Sequence, residues 1–145
     1  MAIAQAICNS FKTELLGGIH DLDTDVFKIA LFRATGSIVG TFGAATTNYS
    51  NMGADEATGT GYAAGGQVLT GAVLGSGSNV SWLDFADAVW SGLTLTARGA
   101  LIYNSSKANR AVAIWDFGAD KIVVDGMLTV QFPAPDAANA LLRLA

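Results

Sequence analysis

Apolar and polar positions alternate with a period of two over residues 90–132, and the rest of the chain is read from that stretch. Leu93, Leu95 and Ala97 alternate with Thr94, Thr96 and Arg98, and after Gly99 the pattern resumes at Leu101 and Tyr103. Residues 104–109 form a polar connection. Ala111, Ala113, Trp115 and Phe117 then alternate with Val112, Ile114 and Asp116. Turns are expected at residues 118–120 and 125–126, with apolar runs at 122–124 and 127–132. Period-two runs bounded by Gly, Asn and Asp are the signature of strands and hairpins, so the stretch predicts four consecutive strands.

The remainder extends this pattern. Ile3, Ala6, Ile7, Phe11 and Leu15 recur at steps of three and four, which predicts a helix over residues 2–16 within an N-terminal helical segment 1–18 that ends at Gly17 and Gly18. Its apolar stripe needs a partner, either the sheet of the same chain or a neighbouring subunit. Residues 26–34 read as a central strand because both faces are apolar. Residues 35–66 form a long loop rich in Gly, Ala and Thr, with a helical turn expected at 51–57. Loops of this length are often functional.

An antiparallel β core fills residues 67–145. Residues 67–75 and 80–85 are expected to pair as a hairpin about a turn at 75–79. Pro133 and Pro135 close the long β run, because proline has no N–H to give a ladder, and 141–145 is a last short strand. The fold class predicted is mainly β: one domain, an antiparallel sandwich or jelly-roll-like barrel carrying one N-terminal helix.

Composition narrows the function classes. Of 145 residues, 51% are hydrophobic and only 14% are charged, against about 25% in ordinary globular domains. Small neutral residues account for such a surface, or else part of it is covered by subunit contact, since interface cores are depleted in charge. With a net charge of −4 and eight dispersed Lys and Arg residues, direct nucleic-acid binding is not expected. No basic leader or membrane-length apolar run is seen, so a soluble protein made in a reducing cytoplasm is expected. The single Cys8 reads as a small buried apolar residue.

Candidate chemistry is weak throughout. Asp21, Asp23 and Asp25 have the spacing of the first calcium-loop ligands, but Val26 and Phe32 stand where that loop needs Gly and a bidentate Glu, leaving a solvated turn. Residues 59–66 (GTGYAAGG) come near a dinucleotide fingerprint but precede a strand, so turns with positive φ are expected, anchored by Tyr62. Asp116, Phe117 and Gly118 spell the kinase magnesium triplet without its other motifs and are taken to end a strand. His20 stands alone and is expected to be exposed. Asp84 and Asp87 beside Trp82 and Trp90 could suggest a glycosidase pair, but the aromatics fit a core as well. Three sequons, at Asn48, Asn79 and Asn104, carry no meaning without a secretory signal. Arg98, within a strand, is placed to reach Asp116 or Asp84 or to enter a subunit contact. No catalytic residue, metal ligand or cofactor is assigned.

The turn at 59–66, the string ARGALIYN at 97–104 and AVAIWDFGADK at 111–121 resemble small structural proteins of tailed double-stranded-DNA bacteriophages, over roughly residues 55–132. The resemblance implies a β-rich, homo-oligomeric virion protein. First among such roles is a capsid decoration or cement protein that clamps neighbouring major capsid subunits, with the virion as its location, itself and the major capsid protein as partners, and no enzymatic activity. The alternatives are a tail tube, adaptor or baseplate subunit, and a host-surface carbohydrate-binding module using Trp82, Trp90 or Trp115. The contact residues expected for the first role are Ile3, Ile7 and Phe11 in the N-terminal segment, Phe42, Tyr49, Met52 and Tyr62 in the loop, and Arg98.

Overall fold

Two strands organise the chain, β6 (Ala88–Asn104) and β7 (Arg110–Val130), of 17 and 21 residues. The computed structural model describes residues 3–34 and 38–145. Ahead of this pair come β1 (Ala6–Ile7), helix α1 (Asn9–Leu16), β2 (Phe27–Phe32), β3 (Gln67–Val68), β4 (Val73–Gly77) and β5 (Val80–Asp84), and β8 (Leu142–Leu144) follows it. One antiparallel sheet runs β1-β7-β6-β2-β3 and a second runs β4-β5-β8. The two share one hydrophobic core, as in a β-sandwich, and no closed barrel forms.

The four strands expected over residues 90–132 are two. Their punctuating residues are absorbed as bulges, which let long strands coil without ending. Gly118, with φ of +75°, and Asp125, with φ of 44°, lie inside β7 instead of making turns. Two β7 residues, Val124 and Asp125, oppose the single Thr94 of β6, whose Oγ1 accepts the Asp125 N–H at 2.8 Å. Gly99 does not break β6. It lets Phe32 and the Trp115 carbonyl approach, each 2.4 Å from where a Cβ would stand.

Other boundaries also shift. The helix begins at Asn9, not residue 2, because residues 4–8 run extended: Ala6 pairs with Ile114, the Cys8 N–H donates to the Val112 carbonyl and the Asn9 N–H to the Ala44 carbonyl. Covering the end of a strand outweighs the helical spacing there, and α1 is left as an eight-residue helix. The strand expected at 67–75 splits at Gly71, with φ of +63°, which carries the chain from one sheet to the other. The hairpin β4–β5 turns at Ser78 and Asn79, both with positive φ, as two-residue hairpin turns require. Strand β2 is central and buried as expected.

The loop of residues 38–66 is tied down by two adjacent carboxylates. Asp55, fully buried, accepts the Val39 and Gly40 N–H groups at 2.7 and 2.5 Å and Arg33 Nη2 at 3.3 Å. Glu56 accepts the Tyr49 and Tyr62 hydroxyls at 2.5 and 2.8 Å and the Gly65 N–H at 2.6 Å. Burial and the Glu56 carboxylate push both phenols well above their ordinary pKa. A capped 3-10 segment, Tyr49–Asp55, delivers both acids, close to the turn expected at 51–57.

Gly66 tests the packing of this loop. Its φ is +69°, and a Cβ would lie 1.8 Å from the Ile29 carbonyl oxygen. Gly18 has the same φ and open space around it. Gly18→Ala is expected to cost about 1 kcal/mol, the left-handed penalty alone. Gly66→Ala should cost about 2 kcal/mol more, because backbone must move. Urea unfolding of the two variants measures the difference.

Candidate interaction surface

Two exposed apolar features stand out, on different elements. The first is a groove of about 470 Å³ between α1 and the three-stranded sheet, walled by Phe11, Leu15, Trp82 and Leu142, with Leu16 and Leu144 at its mouth. Leu16 is 91% exposed and Leu144 60%. Lys12 and Arg143 also line it, and no carboxylate does. Trp82 lies flat over Gly75, where a Cβ would be 2.5 Å from the ring, so β4 needs glycine there. The Trp82 Nε1 is buried with no hydrogen-bond partner among the described residues.

The second is the far half of β7. Val123, Leu128 and Val130 turn inward to the core, while Ile122, Val124 and Met127 are 75%, 75% and 66% exposed. The bulge at Val124 and Asp125 is what moves the inward positions from odd to even numbers. β1 covers β7 only at Ala113 and Ile114, so the outer edge beyond is open in the ladder.

The residues expected to make contacts are mostly elsewhere. Phe11, Phe42 and Met52 are at most 2% exposed and belong to the core, with Phe42 stacked on Phe32 at 4.1 Å. They are not available to a partner, and α1 packs on its own chain. Ile3, Ile7, Tyr49 and Tyr62 are half-buried against the same core. Tyr49 stacks on Tyr103 at 4.8 Å, and the Tyr62 hydroxyl accepts the Leu31 N–H at 2.9 Å. Of the set, Ile7 and the buried Phe11 line the groove. Arg98 takes the Asp116 alternative at 2.8 Å and holds that carboxyl below its usual range. Leu16, Leu144, Ile122, Val124 and Met127 were not singled out. The available signal was the apolar run at 122–124 between charged residues.

The polar candidates are committed to structure. His20 is buried, not exposed: its Nε2 lies 2.8 Å from Glu14 Oε2 and its Nδ1 3.0 Å from the Asn104 amide, with Phe11 against the ring. The Asn104 Oδ1 accepts the Ser106 N–H, so its NH₂ faces His20 and Asp25. That assigns the imidazole proton to Nε2, which donates to Glu14. Arg110 also pairs with Glu14, and Lys107 lies 3.4 Å from Asp25. Burial opposes ionisation of Asp25, but Asn104, the Asp21 N–H and Lys107 outweigh it and lower its pKa.

Asp21 caps its own turn, accepting the Asp23 and Thr24 N–H groups and the Thr24 hydroxyl. Asp84 accepts the Phe85 and Leu141 N–H groups and Asp87 the Phe132 N–H. Cys8 is buried, and burial pushes its thiol up to about 12. Among the described residues no three His, Cys, Asp or Glu side chains group to hold a metal. No described helix is long and apolar enough to cross a membrane. Trp90 is buried, and Trp115, half-buried, sits edge-on to Phe132 at 5.8 Å.

No family model, curated protein or solved structure matches the chain.

Asp84 fastens the connection into β8, one wall of the groove. Burial raises its pKa, its two N–H partners offset this in part, and the Asp87 and Asp136 charges add to the rise. A raised carboxyl binds a proton more readily in the folded chain. Its contribution to stability is therefore complete below the unfolded value of about 3.9 and lost as pH rises through the folded value. As pH rises from about 4 through the raised folded value, the urea midpoint of the wild type should fall relative to that of Asp84→Asn. Parallel pH profiles would refute the assignment.

Proposed function

We propose that this chain is a virion structural protein of the tailed-bacteriophage type, a capsid decoration protein that clamps neighbouring major capsid subunits. The observation that carries this reading is the placement of exposed apolar side chains at two separate sites, the groove mouth at Leu16 and Leu144 and the outer strand at Ile122, Val124 and Met127. Apolar surface gathered this way on a charge-poor chain favours contact with other proteins. A molecule with two such faces can bridge two neighbours. Modest contacts repeated over a shell then hold through multivalency, without any tight site.

A second reading, a tail tube, adaptor or baseplate subunit, draws support from the open edges of β7 and β8, which suit ring building by strand addition.

The two separate in one experiment. Purified chain is mixed with assembled empty heads and followed by co-sedimentation and thermal unfolding of the heads. A decoration protein should co-sediment at saturating stoichiometry and raise the disruption temperature. Leu16→Asp combined with Ile122→Asp should abolish both effects while leaving the circular-dichroism spectrum intact. Discrete rings or tubes formed by the chain alone, with heads unaffected, would replace the first reading with the second.

A further inference from the structure

Among the open strand edges of the described residues, two have complementary surroundings. β8 pairs only with β5 and forms one margin of the three-stranded sheet. Beside it the groove presents Lys12 and Arg143, with no carboxylate in its lining, and the exposed Leu16 and Leu144. The outer edge of β7 is open past Ile114, and there Asp120 and Asp125 bracket the exposed Ile122 and Val124. Strand alternation places Lys121 on the other face from Ile122 and Val124, and residues 120–125 as a whole carry two carboxylates against one ammonium.

We propose that residues 120–125 of one copy seat beside β8 of the next, adding a fourth strand to its three-stranded sheet. Ile122 and Val124 fill the mouth of the apolar groove, and Asp120 and Asp125 meet Lys12 and Arg143. The lengths agree: β8 has three residues, and Lys121 to Val123 is the regularly paired run of β7 between the irregularities at 117–120 and 124–125. The contact uses different surfaces on its two sides, so it propagates head to tail and closes into a ring or continues as a filament.

The competing self-contact pairs two β7 edges about a two-fold axis, Lys121 opposite Asp125. It is disfavoured because a ladder centred on Val123 has to run through the bulge at Val124 and Asp125, where the Asp125 N–H is already given to Thr94, whereas the three residues opposite β8, Lys121 to Val123, stop short of it. The proposal rests on reading these faces as contacts, and it adds that each covers the other.

The test uses two double variants of the full chain. Lys12→Glu with Arg143→Glu reverses the groove, and Asp120→Lys with Asp125→Lys reverses the strand. All four side chains are exposed, and circular dichroism with urea unfolding verifies that each variant folds. In analytical ultracentrifugation the wild type should associate with rising concentration, and less so in high salt. Each variant alone should sediment as a monomer, and an equimolar mixture should recover association, because every junction then carries opposite charges. Should either reversal destabilise the fold, Lys12→Gln with Arg143→Gln and Asp120→Asn with Asp125→Asn serve instead, and each should weaken association.

A wild type that stays monomeric at every concentration overturns the proposal. So does loss of association in the strand variant alone, which is the two-fold outcome, or a mixture of folded variants that does not recover. Head binding by a strictly monomeric chain would end this proposal and leave the decoration reading standing. Association without head binding would do the reverse.

Discussion

A ladder as long as β6 and β7 cannot stay regular, and the fold follows from where it gives way. Strands usually run five or six residues because twist accumulates along them. Here 17 and 21 residues remain paired because bulges at Gly92, at Val124 and Asp125, and around Gly118 release the twist locally. Each bulge also resets which side chains face the core. Trp90, Leu93, Leu95 and Ala97 stay inward along β6, and Val123, Leu128 and Val130 along β7. The same resetting leaves Ile122, Val124 and Met127 outward. The device that keeps the core continuous is thus the one that creates the exposed apolar strand.

The loop depends on a different interaction. Its polar backbone passes over the core, where unpaired N–H groups would be costly. Asp55 and Glu56 take up the Val39, Gly40 and Gly65 N–H groups and two tyrosine hydroxyls. Carboxylates accept several such bonds at once, so two neighbouring residues replace the ladder that the loop lacks. The loop therefore supplies Phe42 and Met52 to the core.

Much of this was legible in the alternation. The β class, the central strand β2, the hairpin β4–β5, the closing strand β8 and the Arg98–Asp116 pair all follow from local residue patterns. Misreadings arose wherever a distant contact overruled a local one. Gly118 and Asp125-Gly126 have turn chemistry but sit opposite a partner strand that continues, so they bulge. The start of the chain has helical spacing but finds the exposed end of β7. His20 has no neighbour in sequence to pair with, yet Asn104, 84 residues away, reaches its ring. A period of two also cannot tell which side of a strand another element covers. So the run at 122–124 does not by itself tell that Val123 turns inward while Ile122 and Val124 stay exposed.

The polar groups of the described residues bear on function through what they are already doing. These acids already hold donors: the buried Asp84 and the exposed Asp87 hold backbone at the edges of the small sheet, the buried Asp55 and half-buried Glu56 hold the loop, and the half-buried Asp25 is held by Asn104 and Lys107. A carboxylate so held resists moving, because leaving would strand the donors it satisfies. Apolar side chains at an open strand edge are the opposite case, since covering them releases water and pairs backbone groups that now face solvent. Free energy remaining to be gained lies at the groove beside β8 and along outer β7, not within the buried polar networks.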